Sequence, residues 1–171
     1  LITHCYHGWD GGLVDEEGTV RPEVREARER GLLFDVGHGG GSFTFRVARA
    51  ALEQGFPPDC ISSDLHTSSI AGPVFDLPKT MTKFLHMGMD LDQVIERTTL
   101  YPARILGVED RIGTLRAGAE GDVTLLKLEE GSFTLQDCAR ETETASQMLA
   151  PVSVLKGGQI YSMGPSIWEA S

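Results

Sequence analysis

Three times within its first 64 residues the chain runs an apolar stretch straight onto an ionisable side chain. The three stretches are Leu1-Ile2-Thr3-His4, Leu32 to Val36 followed by Gly37-His38-Gly39, and Cys60-Ile61-Ser62-Ser63-Asp64. Helical patterns fill the gaps, so each unit takes about 30 residues, which is what an eight-fold β/α barrel of ~250 residues spends on one strand and its helix. Such barrels carry their catalytic groups at the carboxyl ends of different strands. Two histidines and an aspartate in those places point to metal-assisted chemistry.

The rest of the chain reads as two regions. Pro22 is placed to open a short helix that ends at Gly31, and Ser42 is placed to cap a second one carrying Phe45, Val47, Ala48, Ala51 and Leu52 at helical spacing until Gly55. After Asp64 a loop with Gly72-Pro73 and Asp76-Leu77-Pro78 is long enough to reach over the end of a barrel, and helices are predicted over about 78–87 and 91–99. From Ile112 the pattern changes to turns and strands: Val123 to Leu128, then Val152 to Leu155 and Gln159 to Ser162 around Gly157-Gly158. The expected organisation is therefore α/β, with residues 1–110 as a β/α unit and residues 111–171 as a small β unit. Three parallel strands cannot close a barrel, so the sheet is either open or the last part of a longer chain, and its free edges would let copies associate as a homo-oligomer.

Composition narrows the chemistry. Among 171 residues, 25 acidic side chains against 15 basic ones give a formal charge of −10, which offers no footprint for nucleic acid or an anionic membrane and favours a small-molecule substrate. Cys5, Cys60 and Cys138 are odd in number and form no Cys-x-x-Cys pair, so they are expected to be reduced thiols of a cytoplasmic protein. No apolar run reaches the ~20 residues needed to cross a bilayer, and no signal-peptide pattern is present.

His4 closes an apolar run just before a glycine-containing loop, the position of a ligand rather than of a packed core histidine. His7, three residues on, does not share a strand face with it and reads as a loop residue. His38 lies between glycines, where backbone approaches ligands closely, and is expected to face substrate. The same Gly37-His38-Gly39-Gly40-Gly41-Ser42 stretch also admits a dinucleotide-binding turn, weakened by Ser42 at the third glycine position and by a bulky histidine in the turn. Asp64 ends an almost wholly apolar segment, where a lone carboxylate is costly unless it binds metal, caps a helix or moves protons. His66, of the same parity, would flank that cleft. His86 reads as ordinary surface or core, and the Asp15-Glu16-Glu17 cluster as a solvated loop.

Taken in order, Thr3-His4-Cys5-Tyr6-His7-Gly8, Phe34-Asp35-Val36-Gly37-His38-Gly39, Ser63-Asp64-Leu65-His66, Gly72-Pro73-Val74-Phe75-Asp76-Leu77-Pro78 and Gly113-Thr114-Leu115-Arg116-x-Gly118 leading to Asp122-Val123-Thr124 resemble the carboxyl-terminal part of the amidohydrolase superfamily. The narrower likeness is to its dihydroorotase-like amidohydrolase/deacetylase branch. The resemblance implies the last three β/α units of a TIM-type barrel, strands six to eight, followed by part of a small β-sandwich domain. It implies a metallohydrolase of acyl amide or ester bonds, using two divalent ions, Zn²⁺ in both positions by the family's habit. On this pattern His4 and Asp64 are metal ligands, Asp64 is also the catalytic general base and acid, and His38 and His66 orient the substrate. Gly121 stands where the family's closing motif has alanine. The family's His-x-His pair, bridging carboxylated lysine and further histidine have no counterpart here, so the sequence reads as a fragment that needs the missing barrel half.

Overall fold

The computed structural model describes residues 1–162 of the chain. It is an α/β structure of five helices and one three-stranded antiparallel sheet: α1 (Pro22–Glu29), α2 (Phe45–Glu53), α3 (Leu77–His86), α4 (Leu91–Thr98), α5 (Leu100–Leu106), β1 (Val123–Gln136), β2 (Thr142–Lys156) and β3 (Gln159–Ser162). The part of the β unit beyond residue 162 lies outside the described residues. No described helix is long and apolar enough to cross a membrane.

The three apolar runs lie side by side and parallel. Ile2 bridges Phe34 and Asp35 bridges Cys60, with main-chain bonds from Ile2 N to Leu33 O (2.8 Å), Asp35 N to Ile2 O (2.8 Å) and Val36 N to Cys60 O (3.1 Å). They are shorter as strands than their apolar lengths predict. Each contributes isolated bridges rather than a ladder, because the chain turns as soon as the pairing begins: His4 and Gly37 both take up left-handed backbone.

The helices follow their end signals. Pro22 occupies the first turn of α1, where its missing N–H costs nothing. Asp76 caps α3 by accepting from Lys79 N at 2.6 Å. The start of α2 departs from expectation. Ser42 instead donates its N–H to His38 O (3.1 Å), closing the glycine turn, and the helix begins at Phe45 with Thr44 as its cap. The buried Asp137 accepts from Phe45 N (3.0 Å) and, on its other oxygen, from Ala139 N and Glu141 N, so one carboxylate serves both the helix start and the turn between β1 and β2.

That turn is a larger feature than the sequence announced. The expected strand at Val123 to Leu128 continues to Gln136 and pairs along its length with β2, with register shifts at Leu125/Leu126 and Glu130/Phe133. Pro151, which cannot donate to the ladder, sits opposite Leu126 at the first of these. The smaller expected hairpin is present as β2 and β3 joined through Gly157-Gly158. The β1–β2 turn end docks on α2 and α3: Leu135, Ala145 and Leu149 share one apolar cluster with Tyr6, Val36, Phe43, Phe45, Phe56 and Phe84. Thr82 Oγ1, on α3, accepts from Leu149 N of β2 (3.0 Å).

Candidate active site

His4 and Asp64 meet where the outer two of the three extended segments end. Their Nε2 and Oδ2 atoms lie 3.3 Å apart although the residues are 60 positions distant in sequence, and both side chains remain about half exposed, at 46% and 47%. Both adopt left-handed backbone, φ 62° for His4 and 44° for Asp64. That conformation costs a non-glycine residue roughly 1–2 kcal/mol and is found where surrounding structure imposes it. Here the surroundings are the middle segment. A Cβ on Gly37 would collide with Thr3 Oγ1 and come within 2.6 Å of His4 Cδ2, and one on Gly39 would lie 2.5 Å from Asp64 Oδ2. Both glycines have φ 48°. They let the middle turn pass directly beneath the two side chains, and Gly39 N donates to Ser63 O (3.0 Å), tying that turn to the backbone just before Asp64.

The mouth rests on a buried carboxylate. Asp35 Oδ2 accepts from Thr3 Oγ1 and Ser62 Oγ, each at 2.7 Å, and Ser62 Oγ accepts in turn from Gly37 N at 3.0 Å. One oxygen thereby joins all three segments close to His4 and Asp64. Cys5 Sγ donates to Asp35 O (2.9 Å), and burial, reinforced by the Asp35 charge, pushes the Cys5 thiol well above its ordinary range. The same two causes, with Asp59 added, lift Cys60 to about 11. Both are inert packing thiols, and all three cysteines are free.

His38 is brought to the site but not opened to it. Its ring has no exposed surface, stacks on Phe43 with centroids 4.6 Å apart, and uses both nitrogens. Nδ1 pairs with Gly39 O at 2.9 Å, which requires the proton there, so Nε2 is the acceptor facing Lys83 Nζ at 2.6 Å. Burial, with the neighbouring Lys83 charge, holds the imidazole down to about 3. Where the sequence led to an expectation of substrate contact by His38, the structure places a neutral ring sealed beneath the turn, under the mouth. His66 stands beside the same glycine turn. It sits over Gly40, and its Nδ1 pairs with Ser68 Oγ at 2.8 Å, which leaves Nε2 for a ligand.

Lys83 escaped the sequence reading. It lies on α3 with no exposed surface, and its Nζ faces three acceptors: His38 Nε2, Pro73 O (2.9 Å) and Gln136 O (2.7 Å). Burial pulls the amine down to about 7. Three acceptors at bonding distance nevertheless match the three N–H groups that only the ammonium form has, and the geometry assigns that form. Asp35 and Asp137 also shape this region. Asp35 had a signal, a charge inside an apolar run, whereas Lys83 and Asp137 stand in stretches polar enough to conceal them.

A dinucleotide site is not built here. The glycine turn does not open a helix, and the first N–H groups of α2 are already taken by Asp137 and Thr44. Imidazole nitrogen and carboxylate oxygen are suitable donors for a divalent cation, and their convergence on exposed, strained backbone fits part of a metal site. Among the described residues no group of three or more His, Cys, Asp or Glu is gathered to complete one.

Comparison with known proteins agrees with the resemblance. A deacetylase of Enterococcus faecalis is 34% identical over 163 residues, which cover 94% of this chain and 44% of that protein. A solved structure described as an adenine deaminase superposes with a TM-score of 0.89 at 34% identity, covering 94% of this chain and 44% of the other. One described as a dihydroorotase gives 0.82 at 32%, covering 94% and 42%. The chain thus spans less than half the length of the proteins it matches. The model of the amidohydrolase family matches residues 40–161, more than half of the chain, and on that match the chain belongs to the amidohydrolase family.

Proposed function

We propose that the chain carries one side of the active site of a metal-dependent hydrolase of acyl amide or ester bonds, of deacetylase or cyclic-amidase type. In this reading residues 1–110 are the last three β/α units of a TIM-type barrel and residues 111–171 part of its β-sandwich. The observation that carries it is the pairing of His4 with Asp64 at 3.3 Å, on left-handed backbone, over two glycines that give them room. His4 Nε2 and one Asp64 oxygen would hold a divalent cation, which the family resemblance makes Zn²⁺ and one of two in the complete enzyme. When bound, such a cation brings the pKa of water toward neutrality and polarises an acyl carbonyl. The other Asp64 oxygen takes the proton from the attacking water and returns it to the leaving amine or alkoxide, as general base and then acid. His66 Nε2, at the rim, orients the acyl substrate. The protein works in the cytoplasm on a small molecule, with no nucleic-acid or membrane partner.

Two donors do not make a binuclear centre, so the 171-residue chain by itself should retain less than one zinc after dialysis and hydrolyse no acyl substrate above blank. Two tightly held metals would refute the need for further strands. The decisive test joins the chain to the amino-terminal strands of the Enterococcus faecalis relative and measures metal and turnover on N-acetyl amino acids, cyclic amides and adenine. Asp64→Asn should keep most metal and lose about 10²–10⁴ in rate. His4→Ala should lose metal and rate together. An Asp64→Asn protein within tenfold of the parent at full metal occupancy would remove Asp64 from proton transfer.

A further inference from the structure

We infer that Lys83 is a positioning residue for the His4–Asp64 mouth, acting through His38 and the glycine turn; the assignment rests on the reading of that pair as the active site. Lys83 is joined to three separate pieces of chain. His38 belongs to the turn under the mouth, Pro73 to the loop that leaves Asp64, and Gln136 to the end of β1. Its ammonium has three donors and each piece supplies one acceptor, so no donor remains to be satisfied elsewhere.

The line from Lys83 to the mouth is short and made of contacts. By donating to Nε2, Lys83 fixes the His38 proton on Nδ1, and that proton holds Gly39 O. Phe43, stacked on the same ring, prevents it from rotating away. Gly39 bonds Ser63 O and lies against the Asp64 carboxylate, while Gly37 lies against His4. A ring that lost Lys83 could take the other tautomer, which would put a lone pair on Nδ1 against Gly39 O and loosen the turn on which both side chains sit. A lysine is suited to this place because a neutral side chain of the same length offers no three-way donor, and because the Gln136 bond makes the seat of Asp64 depend on the docked β1–β2 hairpin.

The test uses nitrogen-15 NMR on the 171-residue chain, so it can fail without touching the proposed reaction. In the parent chain His38 should show a protonated Nδ1, an acceptor Nε2 coupled through the hydrogen bond to Lys83 Nζ, and a neutral ring at pH 5. Lys83→Met should move the His4 ring and Gly39 amide signals. Arg49→Met should leave both in place, because it removes a different polar link to the hairpin, from Arg49 Nη2 to Glu143 Oε2 at 2.6 Å. Should Lys83→Met not fold, His38→Gln replaces it and is expected to move the same signals. A His38 ring carrying its proton on Nε2, an imidazolium at pH 5, or unmoved His4 and Gly39 signals in the folded variant would overturn the assignment.

Discussion

The mouth and the long hairpin are built on opposite principles. Between β1 and β2 the backbone does the joining: paired positions run from Val123 opposite Leu155 to Gln136 opposite Thr142, and much of the side-chain surface stays exposed. At the mouth the backbone hardly pairs at all. Three extended segments share isolated bridges, and side chains join them: Asp35 across all three, Lys83 and His38 from below, glycines where His4 and Asp64 need room. A ladder tolerates many sequences because every residue brings the same N–H and C=O, whereas a knot of side chains depends on each member. The region that holds the proposed chemistry is the one with least regular structure to lose, as expected of strained residues imposed by their surroundings.

Perturbing the knot should therefore cost far more than perturbing the ladder. The largest effect is expected from Asp35→Ala, which takes the shared acceptor from the Thr3 and Ser62 hydroxyls and removes a charge-assisted link at a buried position. A loss of about 3 kcal/mol in urea unfolding is expected, and a loss under 1 kcal/mol would mean that the bridges carry the segments unaided.

Acid acts on the same region. The folded His38 ring resists protonation until about pH 3, whereas the unfolded imidazole takes a proton near 6.5. Between those values the unfolded state binds more protons, so stability falls as pH is lowered, by up to about 1.4 kcal/mol per unit and about 1.6 kcal/mol from pH 6.5 to 5. Above 6.5 this contribution is flat. Unfolding measured against pH for the parent and His38→Gln should differ in slope within that window, and equal slopes would show that His38 is not held neutral.

Gly39→Ala comes next. A side chain at φ 48° aimed at Asp64 Oδ2 should cost roughly 1–2 kcal/mol and displace the carboxylate, to be read by thermal melting together with the Asp64 carboxyl carbon signal. The smallest effect should come from the ladder. Leu128→Thr, at a half-exposed position of β1 and with a β-branched replacement, should change stability by about 0.5 kcal/mol or less and leave the His4 and Asp64 signals unmoved. A response at the mouth to Leu128→Thr as large as that to Gly39→Ala would erase the distinction between the two regions.

What the sequence determined by itself was local in origin. Apolar runs ending on His4 and Asp64, proline and aspartate at helix starts, glycines at turns and the Gly157-Gly158 hairpin are all written in neighbouring residues, and the ordered motifs were enough to name the family. Only the tertiary structure decided how those pieces act on one another. That His38 is sealed, that Lys83 in the second turn of α3 completes its hydrogen bonding, that Asp137 accepts from the first N–H of α2 across the chain, and that the β1–β2 ladder runs on to Gln136 all depend on partners tens of residues away. A buried charge is stable only when its partners arrive from elsewhere in the fold, and such partners leave no pattern in the residues beside it.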